Sequence, residues 1–250
     1  MKVVATYNIK GGVGKTSTAV NLGYLAARDG LRTLLWDLDP QASATYLFRV
    51  KPKVKGGGKA LAAGSRSLGQ AIKETDFDRL DLMPADFSYR NLDLDLDSSK
   101  RRTDGLRRLL APLHDEYELV ILDCPPSVSL VSENILRACH VLLVPLIPAA
   151  LSMRTLDQLT DFVDGLPGRK PRVMAFLSMV DRRKKAHRDL AERLPNELGY
   201  MVAEAIPNLA VIERMAWRRA PVPDFAPGSP ATAAYEALWA RLRSCLADVG

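Results

Sequence analysis

The seven residues Lys10-Gly11-Gly12-Val13-Gly14-Lys15-Thr16 constrain this chain more than any other stretch. They follow an apolar run, Lys2–Tyr7, with the composition of a strand. They lead directly into Thr16–Asp29, where Val20, Leu22, Tyr24, Leu25 and Ala27 supply a helical apolar face and Gly30 offers a left-handed cap. A strand, a glycine-rich loop and a helix start in that order make an anion site. Glycines let successive backbone N–H groups curl round phosphate oxygens, and the helix N-terminus adds partial positive charge. Lys15 is spaced to reach β- and γ-phosphates, and Thr16 to ligate magnesium. The predicted ligand is therefore a nucleoside triphosphate, held by Lys10, Gly11, Gly12, Val13, Gly14, Lys15, Thr16 and Ser17.

The alternation of short apolar runs with longer amphipathic stretches continues along the chain. Further strands are predicted at Arg32–Trp36, Leu80–Met83, Glu118–Leu122, His140–Pro145 and Arg172–Ser178, and helices at Ser152–Asp164, Lys184–Glu197, Ala210–Arg218 and Pro230–Ala247. This is the pattern of an α/β protein: a mostly parallel twisted sheet with helices on both faces. With no internal repeat and no long linker, the 250 residues are expected to form a single domain, 1–250.

Several classes are excluded or disfavoured. Cys124, Cys139 and Cys245 have no metal-ligand spacing, which argues against a zinc site or disulfide framework and for a reducing cytoplasm. The longest nearly apolar run, Val141–Leu151, is too short to span a bilayer and contains two prolines. A signal peptide would require cleavage through the glycine-rich motif. The formal charge of +6 and a pI near 9.3 favour a polyanionic partner without demanding one. Arg49–Arg66 carries six basic and no acidic residues around a glycine triplet, and is expected to be a mobile surface loop, either simply solvated or contacting a polyanion. Asp93, Asp95 and Asp97 alternate with leucines, as in a strand or an extended edge segment.

The phosphate-loop pattern G-x-x-x-x-G-K-[ST] is met imperfectly, because Ile9 stands where its first glycine belongs. Instead the loop starts with a second lysine, and K-G-G-x-G-K-[ST] resembles the deviant phosphate loop of the ParA/MinD family of ATPases. Asp37-Leu38-Asp39-Pro40-Gln41 resembles that family's D-x-D-P-Q block, and Asp123-Cys124-Pro125-Pro126 its D-x-P-P block. The resemblance runs from Lys2 to about Leu242. It implies ATP and Mg2+ as cofactors. Asp39 would position the hydrolytic water, Asp123 would hold a magnesium-bound water, and Asp37 would support the magnesium site beside Thr16. Lys10 would act in trans on the phosphates of a partner subunit, so that hydrolysis needs a homodimer, with Gly12 at the approach of the two loops. Gln41–Thr45 and Pro125–Ser127 would be the segments that sense the γ-phosphate. Ala205-Ile206-Pro207-Asn208 resembles an adenine-contacting turn with altered spacing, so Pro207 and Asn208 either meet the base or, for Asn208, cap a helix.

Two basic clusters remain, Arg182-Arg183-Lys184-Lys185 with Arg188, and Arg214 with Arg218-Arg219. They are either solvated helix faces or a surface for DNA phosphates, which sequence-independent binding requires. The resemblance implies a cytoplasmic, nucleoid-associated protein. Its ATP-bound homodimer would bind DNA non-specifically and position a plasmid, chromosome or protein cargo, with hydrolysis stimulated by a ParB-like or other cargo-bound partner and no membrane involved. A MinD-like membrane-cycling ATPase would need a basic amphipathic C-terminal helix, whereas Tyr235, Leu238, Leu242 and Leu246 suit a helix packed on the body. A metabolic or metal-carrier ATPase of the same fold is the other alternative.

Overall fold

Val3 and Ala5 of the first strand turn to one face of the sheet and Val4 to the other, and each side lands in a different apolar core. The same division runs through Leu34 and Trp36 against Leu35, and through Val120 and Leu122 against Ile121. A sheet buried on both faces must be covered by helices on both. The computed structural model, which describes residues 1–62, 68–91 and 103–249, has that architecture.

The strands are β1 (Lys2–Thr6), β2 (Thr33–Asp37), β3 (Lys73–Glu74), β4 (Leu80–Met83), β5 (Leu119–Asp123), β6 (Val141–Leu146) and β7 (Arg172–Leu177). They form one sheet in the order β3-β4-β2-β5-β1-β6-β7, parallel except for the edge pair β3–β4. Helix α1 (Lys15–Arg28) and the C-terminal helix, Pro230–Asp248, cover one face through Leu22, Leu25, Leu238 and Leu242. Leu130–Ala138 and Ala150–Gly165 cover the other through Ile135, Leu136, Leu156 and Leu159. At Gly23, α1 packs on Leu80 and Leu35, which a β-carbon there would meet at ordinary contact distances of 3.5 and 3.6 Å. Asp29 ties the two helices of the first face together, accepting bonds from Trp239 Nε1 at 2.8 Å and Arg243 Nη1 at 2.9 Å.

The six predicted strands are present, and Gly30 takes the predicted left-handed cap at φ 95°. Three differences have local causes. Lys73–Glu74 is too short to show a period. Leu130–Ala138 follows the Pro125-Pro126 turn and depends on packing for its helical state. Ala210–Arg218, predicted as one helix, is two single turns, Ala210–Glu213 and Met215–Arg218, joined at Arg214.

The basic segment after Arg49 is anchored over its first half rather than loose. Val54 is buried, its N–H donates to Asp86 Oδ2 at 2.7 Å, and the Gly58 N–H donates to Ser88 Oγ at 2.7 Å. A short helix, Gly57–Ala62, follows. The aspartates at 93, 95 and 97 lie outside the described residues.

Candidate nucleotide site

Three carboxyl-end positions lie side by side where β2, β5 and β1 are neighbours. Asp123 ends β5 and is in register with Thr6 of β1 on one side and Asp37 of β2 on the other. Beyond the C-terminal ends of parallel strands lies the crevice in which open α/β sheets bind ligands.

The glycine-rich loop leaves β1 at this edge. Asn8 pins its start, donating from Nδ2 to the Pro145 carbonyl at 2.8 Å and accepting the Lys10 N–H at 2.9 Å. Gly14 has φ 93°, and a β-carbon there would stand 2.9 Å from Ser178 Oγ, so the position requires glycine on two counts. Gly12 has φ 70° but faces open space. No side chain caps the N-terminus of α1, which leaves first-turn N–H groups for an anion. Lys15 Nζ donates to the Lys10 carbonyl at 2.9 Å and so lies within the curl of the loop.

Charge inside this edge is poorly compensated. Asp123 is fully buried and neither carboxylate oxygen has a hydrogen-bond partner. Burial first, then the neighbouring Asp37, pushes its pKa well above the usual carboxylate range, against which Thr16 and Lys15 pull down. Burial lowers the Lys15 pKa, opposed chiefly by Asp123. An orphaned carboxylate beside a lysine and a threonine hydroxyl is a donor set that would suit Mg2+, an ion that commonly takes one or two carboxylates and keeps waters.

Asp37 behaves differently from expectation. Its Oδ2 accepts the Thr45 N–H at 2.8 Å and the Thr45 hydroxyl at 2.7 Å, and its Oδ1 accepts the Asp39 N–H at 3.2 Å. Both oxygens are occupied in shaping residues 39–45, so Asp37 supports the site through the backbone instead of converging on an ion. Burial still raises its pKa to about 6. Among the described residues, no group of three or more His, Cys, Asp or Glu side chains is placed to hold a metal. Any metal here leans on Thr16, Asp123 and the ligand.

The loop opens into a cleft of about 730 Å³. Lys15, Thr16 and Ser17 line it, as do Asp39, Gln41, Tyr46, Ile212 and Met215. A second cavity of about 510 Å³ begins one residue along the chain, where Met179 gives way to Val180, and takes in Asp181, Pro207 and Asn208. Val180 and Asn208 exchange backbone contact, the Asn208 N–H donating to the Val180 carbonyl at 3.0 Å, so the Pro207 turn is fixed beside the end of β7. Asn208 caps no helix, since Leu209 occupies the cap of the next one. Nothing in the sequence pointed to Asn8, Ser178 or the cleft-lining residues at 212–216, and Thr45, which lies in the predicted Gln41–Thr45 segment, was not expected to engage Asp37.

The basic residues divide by engagement. Arg183 grips Asp181 with two bonds of 2.9 Å and holds that carboxyl down to about 2, and Arg188 donates to the Arg182 and Arg183 carbonyls. Arg219 donates to the Tyr46 carbonyl. Arg182, Lys184, Lys185, Arg214 and Arg218 are exposed.

Residues 1–175 match the AAA domain family. The chain is similar to the chromosome partitioning protein ParA of Caulobacter vibrioides, 32% identical over 82% of this chain and 80% of that protein. It also resembles a crystal structure of cobyrinic acid a,c-diamide synthase from Mycobacterium smegmatis with bound ATP analog and magnesium, at TM-score 0.83 and 27% identity over 97% of this chain and 94% of the other. The fold alone is shared with an ATP complex of Cyanothece McdA, at TM-score 0.86 and 19% identity over 97% and 96% of the two chains.

Proposed function

The chain belongs to the ParA/MinD family of Walker-type ATPases, and from that premise we propose that it is a magnesium-dependent ATPase. Its ATP-bound homodimer binds DNA without reading sequence and positions a plasmid, chromosome or protein cargo in the nucleoid-associated cytoplasm. A ParB-like or other cargo-bound partner stimulates hydrolysis and releases the DNA. The observation that supports the catalytic part is the buried, unpartnered Asp123 carboxylate beside Lys15 and Thr16, two residues that line the cleft.

Each residue has a task that its position supports. The loop from Lys10 to Gly14 and the open end of α1 wrap the phosphates with N–H groups, and Lys15 exchanges its bond to the Lys10 carbonyl for phosphate oxygens. Thr16 would ligate Mg2+ and Asp123 would hold a water bound to it, and the ion would supply positive charge against the phosphates. Asp39, at the cleft wall and bonded through Oδ1 to the Gln41 N–H at 2.9 Å, orients the attacking water. Lys10 is supplied to the partner's site, where a cation in trans offsets charge developing during phosphoryl transfer. Val180–Asn208, with Pro207, receives the adenine.

Two observations weigh against the neighbouring readings. No helix among the described residues is long and apolar enough to cross a membrane, and the C-terminal helix buries Tyr235, Leu238, Leu242 and Leu246 against the body, leaving no apolar face for a lipid surface. All three cysteines are buried, which does not suit a cluster bridged between subunits.

The test is ATP turnover by the purified chain with Mg2+, with EDTA, and in Lys15→Ala. Turnover that needs Mg2+, rises with DNA and vanishes together with nucleotide binding in Lys15→Ala is expected. Near-normal ATP affinity of Lys15→Ala by calorimetry would sink the assignment.

A further inference from the structure

The short helix Met215–Arg218 and the turn before it, Ala210–Glu213, face two ways. Ile212, Glu213, Met215 and Ala216 line the nucleotide cleft, while Arg214, Trp217 and Arg218 are exposed on the outside. The Trp217 and Arg218 N–H groups both donate to the Arg214 carbonyl, at 3.1 and 2.9 Å, so the two turns form one continuous body.

That body is tethered to the nucleotide site from two sides. From α1, Asn21 donates to the Ser17 carbonyl at 2.7 Å, lies 3.3 Å from Met215 Sδ and accepts the Val222 N–H at 2.8 Å. From helix α2, Ser43–Leu47, comes the second tether. Arg219 Nε donates to the Tyr46 carbonyl at 2.9 Å, and its guanidinium stands 4.5 Å over the Tyr46 ring. Arg49, just past α2, donates to the Arg218 carbonyl at 3.1 Å. Tyr46 follows Thr45, the residue that holds Asp37. Ala42 before α2, Arg49 after it and Arg219 after the Met215–Arg218 turn all sit at positive φ, between 52° and 59°. Non-glycine residues keep that conformation only where surroundings impose it.

We propose that Tyr46 and Arg219 are positioning residues that transmit the nucleotide state from residues 39–47 to the exposed Arg214–Arg218 turn, and that Arg219 is not itself a phosphate contact. The proposal rests on the reading that this turn meets DNA. The physical basis is that a charge-assisted bond and a cation–π contact act together at one junction, enough for a coupling of roughly tenfold. Coupling of this kind is reciprocal, so DNA must tighten a non-hydrolysable ATP analogue by the factor with which the analogue tightens DNA.

The experiment measures duplex DNA affinity of the full chain with the analogue and with ADP. Arg219→Ala is expected to lower the ratio of the two affinities about tenfold, Tyr46→Ala, which removes the ring but keeps the carbonyl, by a smaller factor, and the double variant no further than Arg219→Ala. Tyr46→Phe keeps ring and carbonyl and should keep the ratio, whereas Arg218→Ala should weaken both affinities alike. Arg219→Lys serves if Arg219→Ala does not fold. Equal weakening in both nucleotide states by Arg219→Ala, or multiplying effects of the two single substitutions, would overturn the proposal. If the wild type binds no DNA in any state, the functional reading fails and the link is still testable by fluorescence. Trp217 is 89% exposed while Trp36 and Trp239 are buried, so it reports on the turn. A nucleotide-induced change in its emission that Arg219→Ala abolishes supports the link; no change in the wild type, or an equal change in the variant, overturns it.

Discussion

One oxygen of Asp37 receives both the N–H and the hydroxyl of Thr45, at 2.8 and 2.7 Å, at a strand end without solvent access. The same hydroxyl oxygen accepts the Ala85 N–H at 2.8 Å. Thr45→Val keeps the shape and removes the hydroxyl, leaving a buried carboxylate short of one donor and a buried N–H without an acceptor. A loss of about 2–6 kcal/mol in unfolding free energy is expected from urea titration, at one to three per unsatisfied group. Because residues 39–45 carry Asp39, hydrolysis should fall as well. A change below half a kcal/mol would mean that the Asp37–Thr45 junction is not structural.

Asp37 and Asp123 also set the pH response of the nucleotide-free chain. Both have folded pKa values raised above their unfolded ones, Asp37 to about 6. A raised carboxyl contributes stability that is fully present below the unfolded pKa and lost as pH rises through the folded one. Stability from Asp37 should therefore fall between about pH 4 and 6, by up to ~3 kcal/mol for a shift of this size. Asp123→Asn removes the neighbouring charge and a buried carboxylate without partners. It should make the nucleotide-free protein more stable at pH 7 than the wild type while abolishing the Mg2+ dependence of ATP binding. Urea midpoints at pH 5 and 7.5 check the first statement, and calorimetry with and without Mg2+ the second. A destabilised Asp123→Asn protein would contradict the burial argument.

The parts of this site that were legible in the sequence are those where the backbone does the work. Lys10–Thr16 follows an apolar strand and opens a helix, and that order alone fixes an anion site. Asp37, Asp39 and Asp123 could be placed at strand ends because each closes an apolar run. What could not be read is which way a side chain turns once there. Asp37 and Asp123 have similar sequence settings, yet Asp37 is engaged by Thr45 and Asp123 is unpartnered, a difference set by eight residues of intervening chain. Arg183 and Arg219 looked as free as Arg214 and Arg218. Asp181 and Tyr46 engage the first pair, and only the fold brings Tyr46 across 173 positions to Arg219.

Gly12 and Gly14 should respond differently to alanine. At Gly14 the new β-carbon meets Ser178 Oγ at 2.9 Å on top of a φ of 93°, so Gly14→Ala should lose nucleotide binding. At Gly12 the space is open and only the φ of 70° is unfavourable, costing roughly 1–2 kcal/mol. If, as proposed, a second subunit's loop approaches at Gly12, Gly12→Ala should still bind ATP as a monomer yet fail to dimerise. Size-exclusion chromatography with ATP and Mg2+ decides this, and a Gly12→Ala dimer at wild-type yield would remove Gly12 from the interface.

Asp39→Ala should bind ATP and accumulate as a dimer, since the water it orients is lost and binding is not. Lys10→Ala should bind ATP and fail to hydrolyse it. Mixing the two variants separates cis from trans action. If Lys10 works in trans, one site of each heterodimer carries both defects and the other carries none, so a 1:1 mixture should recover about a quarter of wild-type turnover. If it works in cis, every site keeps one defect. No recovery, with heterodimers shown to form, would place Lys10 in its own site.

DNA binding by the ATP-bound dimer should depend steeply on salt and not on sequence, since only phosphates are met by basic side chains on exposed turns. If each subunit neutralises about three phosphates, the log–log salt slope should lie near −5. Three of the exposed basic side chains Arg182, Lys184, Lys185, Arg214 and Arg218, Arg214 and Arg218 among them, should carry that slope. Arg214→Ala with Arg218→Ala should reduce it by about 4 in the dimer, at two contacts per subunit, and weaken every sequence alike. Arg183→Ala should change the slope little, because its guanidinium is already spent on Asp181, and should instead disturb the cavity that Asp181 lines. Equal DNA affinity with ATP, with ADP and without nucleotide would refute the nucleotide switch. A slope unaffected by Arg214 and Arg218 but lost on removing Arg182, Lys184 and Lys185 would move the DNA face to the start of the helix Lys185–Glu197.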